Sequence, residues 1–208
     1  MDEFFERDDD IDGVKKWLWI KGDTGLWDGP AQNWKDHHKA NIKKYVKGRS
    51  VVVQAGGGAG MYPRLLSNMF SVVYTFEPDD SNFHCLAHNC YGKKVVMFNT
   101  AVGDFNSLVS VKRGNESNRG THKVEEQDDS YIPQLTIDTI KYRYCDLIWL
   151  DTEGYEGQAL KGAMETIHKF KPVIMAERGN KVEEWLDGLG YEKVDQSSAD
   201  TIFKPKNV

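Results

Sequence analysis

Residues 51–60 read Val-Val-Val-Gln-Ala-Gly-Gly-Gly-Ala-Gly. Three consecutive β-branched residues fit a buried strand, and the four glycines behind them fit a tight turn from strand to helix. In the segment from Tyr62 to Phe70, the residues Leu65, Leu66, Met69 and Phe70 fall at helical spacing. Glycine serves where the backbone must take φ > 0 or run close to a ligand with no Cβ in the way. A glycine loop opening onto a helix N-terminus suits a polar ligand. Many such turns bind nothing, so the loop needs a second signal.

That signal is residues 72–78, Val-Val-Tyr-Thr-Phe-Glu-Pro, a second apolar strand closed by Glu77 and Pro78, with Glu77 21 residues after Gly56. In a βαβ unit, an acid at the tip of the second strand accepts hydrogen bonds from both ribose hydroxyls of a bound nucleoside. Loop and acid together imply a nucleoside-containing cofactor, either a dinucleotide or S-adenosylmethionine. A dinucleotide loop is spaced G-x-G-x-x-G. Here Gly56 and Gly58 are followed by Gly60, with Met61 where the third glycine would fall. The spacing G-x-G-x-G is that of S-adenosylmethionine loops.

The 208 residues predict one domain with room for a sizeable core. With 39% hydrophobic and 28% charged residues the composition is that of a globular protein. A formal charge of −5 argues against general binding to nucleic acid or anionic membranes. No apolar run approaches the roughly 20 residues that span a bilayer. The acidic stretch from Met1 to Asp12 is unlike a signal peptide. Three cysteines (Cys85, Cys90 and Cys145) without metal-ligand spacing read as buried small hydrophobes in a reducing cytosol.

Upstream of the glycine loop, residues 1–13 are charge-rich and predict a frayed or loosely packed end. From Val14 to Gly48 the chain carries Trp17, Trp19, Trp27 and Trp34. Lys15 to Ile20 reads as a short strand or turn, then a loop through Gly22, Gly25, Gly29 and Pro30, then a helix from Ala31 to Lys47 with Trp34, His38, Ile42 and Tyr45 near one face. So many tryptophans must bury against the adjoining domain, either as a lid over the site or as plain packing. His37 and His38 offer a base from this element, or serve only as solvated or structural groups. The domain boundary is placed at 49/50.

Downstream, helix Asn82–Cys90 and strand Val95–Asn99 continue a β-α-β-α-β alternation, which predicts right-handed crossovers and a parallel sheet. Ala101 and Val102 follow at the carboxyl edge of that sheet, where an adenine ring would sit. Residues 107–130 interrupt the alternation with a strand at Leu108–Lys112 and a polar loop from Arg113 to Gly120 bordering the substrate entrance. A short helix is expected at Leu135–Tyr142 with Thr136 at its start. A strand follows at Cys145–Leu150, a helix at Gln158–Phe170, a strand at Pro172–Ala176, and a helix at Lys181–Leu189 closed by Gly190. Tyr191–Val194 and Thr201–Phe203 predict an antiparallel end to the sheet.

Ligands of open α/β sheets bind outside the carboxyl ends of the strands, and four inferred strands end in Gln54, Glu77, Asp151 and Glu177. Asp151 would face the reactive end of the cofactor, where it orients an incoming hydroxyl or the cofactor's amino group and accepts a proton as charge develops. Transfer from a sulfonium needs mainly alignment. Glu156 also fits the first turn of the next helix, where the dipole favours an acid. Asp151, Glu153 and Glu177 are enough oxygen ligands for Mg²⁺, but a metal is not the favoured reading.

Several blocks resemble one family, the FkbM-type S-adenosylmethionine-dependent methyltransferases. They are Val53-Gln-Ala-Gly-Gly-Gly-Ala-Gly60, Thr75-Phe-Glu-Pro78 with Asn82-Phe83, Leu135-Thr-Ile-Asp138, Ile148-Trp-Leu-Asp-Thr-Glu-Gly-Tyr-Glu-Gly-Gln-Ala-Leu-Lys-Gly-Ala163, and Lys171-Pro172 to Glu177. The resemblance runs from about Ser50 to the C-terminus. It implies a class I methyltransferase fold: a Rossmann-like α/β three-layer sandwich with a mostly parallel seven-stranded sheet and an antiparallel C-terminal strand. It further implies O-methylation of a sugar or small-molecule hydroxyl. Gly56, Gly58 and Gly60 would lie under the methionine portion, Glu77 on the ribose, Ala101 near the adenine, and Asp151 with Glu153 at the reactive centre. The family usually has Asp where this chain has Gln54 and a basic residue where it has Trp149. Gln54 retains hydrogen-bonding capacity toward the cofactor amino group but loses a charge-assisted contact.

The expected cofactor-binding set is Gln54, Gly56, Gly57, Gly58, Gly60, Glu77, Pro78, Ala101 and Val102, the catalytic pair is Asp151 and Glu153, and no metal ligand is assigned. The cofactor is S-adenosylmethionine, leaving as S-adenosylhomocysteine, and the acceptor a small molecule or glycan, with no nucleic-acid or membrane partner. Two competing readings are a methyltransferase fold kept as a binding module without catalysis, motivated by Gln54 and the tryptophans, and a dinucleotide oxidoreductase, disfavoured by the missing third glycine.

Overall fold

The computed structural model describes residues 4–112, 114, 117–118, 123–125, 131–177, 182–197 and 200–206. Most of the polar loop expected at 113–120, and Lys181 at the expected start of the last helix, lie outside the described residues.

The chain begins with a hairpin in which β1 (Phe4–Arg7) pairs antiparallel with β2 (Trp17–Ile20). Helix α1 (Gly25–Asn33), a π-helical turn (Trp34–His38) and α2 (Lys39–Tyr45) complete the leader. The alternating region follows as β3 (Val51–Ala55), α3 (Met61–Leu66), β4 (Val72–Phe76), α4 (Asp80–Asn89) and β5 (Val95–Phe98). A small second sheet holds β6 (Ala101–Val102), β7 (Ser107–Lys112), β8 (Lys123–Glu125) and β9 (Ile132–Leu135). The main sheet resumes with β10 (Leu147–Leu150), α5 (Glu156–Lys161), α6 (Met164–Phe170), β11 (Val173–Glu177), α7 (Glu183–Gly188), β12 (Tyr191–Ser197) and β13 (Asp200–Pro205).

Seven strands form the main sheet in the order β12-β13-β11-β10-β3-β4-β5. The run from β11 to β5 is parallel, and β13 enters antiparallel between β11 and β12. Side-chain alternation along the strands sorts the two faces. Val52, Val73, Leu147, Trp149, Met175 and Ile202 pack under the leader and α3, while Val53, Phe76, Ile148, Leu150, Ile174 and Phe203 pack under α5, α6 and α7. This is the three-layer, mostly parallel sandwich with an antiparallel end that the sequence predicts.

The leader belongs to the core. All four of its tryptophans are buried in one cluster with the sheet, and Trp27 meets Trp19 and Trp17 edge-on at 4.9 and 5.7 Å. Such rings each bury an area that dominates local packing energy, which explains two departures from expectation. Residues 4–7 are paired rather than frayed, with Ile11 buried and the Trp17 indole donating to the Asp9 carbonyl. The helix starts at Gly25 rather than Ala31 and runs through Gly29 and Pro30. Burial of Trp27, Ala31 and Trp34 outweighs the weak propensity of those residues. The ladder then widens into a π turn, in which the Lys39 N–H reaches the Trp34 carbonyl.

Three further elements differ from expectation. The Leu135–Tyr142 helix is only a 3-10 turn (Ile137–Thr139) after β9, since Asp138 is diverted to cap α6 by accepting from the Glu165 and Thr166 amides. Gln158–Phe170 breaks into two helices because the Gly162 carbonyl accepts from the Asp138 amide instead of continuing the ladder. Helix α3 closes at Leu66, short of Phe70.

Gly56 sets the sheet's carboxyl edge. It has φ of +80°, and a Cβ there would stand 1.7 Å from the Asp151 carbonyl oxygen. Gly56→Ala is therefore expected to lower stability by at least about 2 kcal/mol, read as a shift in urea midpoint at unchanged slope.

Candidate active site

Strand order reverses beside β3, with β4 on one side and β10 on the other. This switch point leaves a crevice at the carboxyl ends of the strands. A cleft opens there, holding about 1130 Å³ of empty space with its mouth included. Gly56, Gly58, Glu77, Pro78, Ala101, Val102, Asp151 and Glu153 all line it. Of the expected site residues, Gln54, Gly57 and Gly60 do not.

The glycine loop is held by its neighbours' backbone. The amides of Gly56 and Gly57 both donate to the Phe76 carbonyl, so the loop folds over the end of β4. Gly57 packs against Leu86, and Gly60 caps α3 in the left-handed conformation with Leu86 behind it. Their place is under the loop, not on its ligand side. Gln54 is corrected in the same way. It is fully buried, its Nε2 donates to the Ala55 and Gly56 carbonyls, and its Oε1 accepts from Thr75 Oγ1. The side chain is thus satisfied on both ends by the protein and does not line the cleft.

Glu77 sits just past β4, buried, with Oε2 accepting from the Gly58 amide at 2.7 Å and Oε1 from the Asp79 amide at 2.9 Å. Burial pushes its carboxyl up to about 7, against the pull of those two N–H donors. Asp79 caps α4 through the Ser81 and Asn82 amides, fixing the turn that carries Glu77. Beside it, Asn82 Oδ1 and Thr100 Oγ1 are buried and lack a hydrogen-bond partner among the described residues, and both residues line the cleft. Buried polar atoms left open in a cleft wall fit a ligand with polar edges.

The opposite end is acidic, with Asp151, Glu153, Glu177 and Asp200 on the wall. Burial first, and then the charges of Asp200, Glu177, Glu153 and Glu156, raise Asp151 well above the usual carboxylate range. Glu156 itself is buried on the first turn of α5. Its Oε1 accepts from the Thr152 and Gly154 amides and the Thr152 hydroxyl, so it holds the 151–155 turn rather than facing a ligand. Asp151, Glu153 and Glu177 each bring an oxygen within 4.8 Å of the others. Acids gather so without an ion in many proteins, and no metal is assigned. Three leader residues, Gly25, Pro30 and Asn33, close the cleft with Tyr62, whose hydroxyl is hydrogen-bonded to Asn33. Burial and the neighbouring Asp151 and Asp200 raise the Tyr62 phenol.

A model of the "Methyltransferase FkbM domain" matches residues 61–195, more than half of the chain. The chain belongs to the FkbM methyltransferase family. An FkbM methyltransferase from Methylobacillus flagellatus KT superposes with a TM-score of 0.53 at 18% identity over 75% of this chain and 43% of that one. The chain thus spans less than half the length of that relative, and at this identity the likeness is one of fold. An rRNA methylase from Streptococcus thermophilus gives 0.48 at 11% identity, covering 80% of this chain and 92% of that one. A Streptococcus mutans protein in complex with SAH gives 0.45 at 9%, covering 78% and 90%. No curated protein sequence matches significantly.

The family match begins after the glycine loop and ends before β13, narrower than the resemblance expected from Ser50 to the C-terminus. Among cleft residues of this FkbM-family chain, Asn33, Tyr62, Asn82, Thr100, Lys123, Tyr155 and Asp200 were not among the residues expected from the sequence. Thr100 adjoins Ala101 and Asn82 lies in a resembling block, which were usable signals. Asp200 and Asn33 carry none, being brought in from the chain's two ends.

Two pH effects follow. Glu77 ionises near 4.5 when unfolded and near 7 when folded, so the ligand-free protein should lose up to roughly 3 kcal/mol of stability from this group as pH rises across that window. Asp151→Asn removes a carboxylate that is raised by its acidic neighbours. It is expected to stabilise the ligand-free protein, and by more at high pH than at low pH, because the raised carboxyl costs stability only as it ionises, as read in urea melts across the pH range.

Proposed function

We propose that the chain is an S-adenosylmethionine-dependent methyltransferase that methylates a hydroxyl on a sugar or other small molecule. The observation that carries this is one cleft joining the Gly56–Gly58 turn, the ribose-height acid Glu77 and the acidic wall of Asp151 and Glu153. S-adenosylmethionine supplies, when bound, a methyl group already activated by a sulfonium. Glu77 would take the ribose on the lone-pair capacity left by the Gly58 and Asp79 amides and Asn82 Nδ2. Pro78, Ala101 and Val102 offer the apolar walls, and Asn82 and Thr100 the open polar atoms, for an adenine. Gly56 and Gly58 let the backbone pass beneath the amino-acid tail. Gln54, Gly57 and Gly60 would act by shaping that loop. Asp151 and Glu153 face the tail and the reacting centre.

The departure at Gln54 lies behind the wall, so it takes nothing from the cleft and gives the non-catalytic reading no specific support. The leader is taken as a fixed wall rather than a hinged lid, because its tryptophans are locked in the core. A neutral polyol or glycan acceptor fits a cleft whose far end is carboxylate-rich. Among the described residues no helix is long and apolar enough to cross a membrane. The three cysteines are buried and not joined in disulfides, in keeping with a cytosolic setting.

Calorimetric titration with S-adenosylhomocysteine is the test. Micromolar binding is expected, weakened at least about tenfold by Glu77→Ala, since loss of a charged hydrogen-bond partner costs about 1.5–3 kcal/mol. Affinity should also rise between pH 6 and 8 as Glu77 ionises. Wild-type protein that binds nothing at millimolar ligand would leave the non-catalytic module as the better account.

A further inference from the structure

Asp200 opens β13 and pairs in register with Glu177 at the end of β11. Its carboxylate therefore shares the sheet edge with Asp151 but stands two strands further from the glycine loop. It lines the cleft while gripped from behind. Oδ2 lies 2.8 Å from His38 Nε2, and Oδ1 accepts from Trp149 Nε1 at 3.2 Å. His38 and Trp149 are 1% and 0% exposed, and their rings meet edge-to-face at 4.7 Å. Toward a carboxylate His38 Nε2 must be the donor, which sets the tautomer, and its Nδ1 has no partner among the described residues. Tyr62 packs on both His38 and Trp149 and lines the same cleft.

This arrangement is more than a core polar pair. A pair that served stability alone is replaceable by apolar groups, whereas here one member lines a cleft and two buried donors, one on each oxygen, hold its carboxylate. Both His38 and Asp200 lie outside the 61–195 match, so the chain assembles this grip from its own ends. Along the sheet edge, adenosine contacts fall at β4 and β5 and Asp151 at β10, which leaves β13 beside the incoming acceptor.

We propose that Asp200 is the carboxylate that receives the acceptor's hydroxyl proton, with His38 and Trp149 as positioning residues that hold it facing the cleft. This rests on the methyltransferase reading above. In the step, an O–C bond forms between acceptor oxygen and methyl carbon, the C–S bond breaks with its electron pair staying on sulfur, and the hydroxyl proton passes to an Asp200 oxygen. A positioned carboxylate of this kind contributes typically 10²–10⁴-fold.

The test compares wild type with Asp200→Asn, His38→Ala, His38→Gln and Trp149→Phe in three readouts. The first is calorimetric affinity for S-adenosylhomocysteine. The second is conversion of S-adenosylmethionine to S-adenosylhomocysteine with molar glycerol as hydroxyl probe. The third is the imidazole N–H resonance of His38. Expected are S-adenosylhomocysteine affinity within about twofold throughout, and conversion at least roughly tenfold slower in Asp200→Asn. His38→Ala should slow conversion less, with partial rescue by His38→Gln, and the downfield His38 resonance should vanish in Asp200→Asn. Equal conversion in wild type and Asp200→Asn, at any rate, overturns the proposal. So does a loss of S-adenosylhomocysteine affinity in Asp200→Asn parallel to the loss of conversion, which would make Asp200 a structural or cofactor residue. Should Asp200→Asn fail to fold, Trp149→Phe and the His38 pair decide on the same criteria. Wild type that does not bind S-adenosylhomocysteine refutes the methyltransferase reading instead.

Discussion

The seam between β3 and β10 is the contact on which the rest of the structure depends. The Asp151 amide donates to the Ala55 carbonyl, and the next residue, Gly56, passes so close to the Asp151 carbonyl that no side chain fits between them. Two strands separated by 91 residues of chain are thereby pinned at their carboxyl ends, and the loop that leaves one of them is forced under the acid that ends the other. The same loop hangs on the Phe76 carbonyl at the end of β4. Three strand tips thus share one short run of backbone, which brings Glu77 and Asp151 to the wall of one cleft.

The acidic end works against folding and toward chemistry. Glu77 and Asp151 are both held above their ordinary range chiefly by burial, and Asp151 faces further carboxylates. Such groups cost stability at neutral pH unless a ligand answers them. The structure offsets that cost elsewhere, in the packed tryptophans of the leader and in the strands β3 and β10, which are buried along their whole length. Glu156 and Gln54 show how the offset is distributed. Each is a buried polar side chain spent on holding a loop, and each shapes the cleft without entering its wall.

The leader joins the two ends of the chain to one another and to the site. Its tryptophans fill the face of the sheet that α3 and α4 leave open, its Asn33 reaches Tyr62 at the cleft, and His38 reaches Asp200 at the start of the last strand. Sliding or swinging it as a lid would unpack a core, so its contribution to the site is fixed geometry.

Local sequence determined the parts whose physics is local. A triple β-branched strand with glycines behind it, the acid ending the next strand, and the alternation of strand and helix periods specify the sheet, its edge and the place of Gly56, Glu77 and Asp151. Boundaries failed where packing overrode propensity: Pro30 sits inside a helix because Trp27 and Trp34 are buried on either side of it, and the Gln158–Phe170 helix breaks because Asp138 claims the Gly162 carbonyl. Side-chain direction was not legible either. Gln54 stands where a cleft residue was expected, yet Thr75 and the backbone turn it inward. Only tertiary structure could bring His38, Trp149 and Asp200 together, since residues 162 apart in the chain meet through the order of strands in a sheet, and nothing in the residues around either one encodes that order.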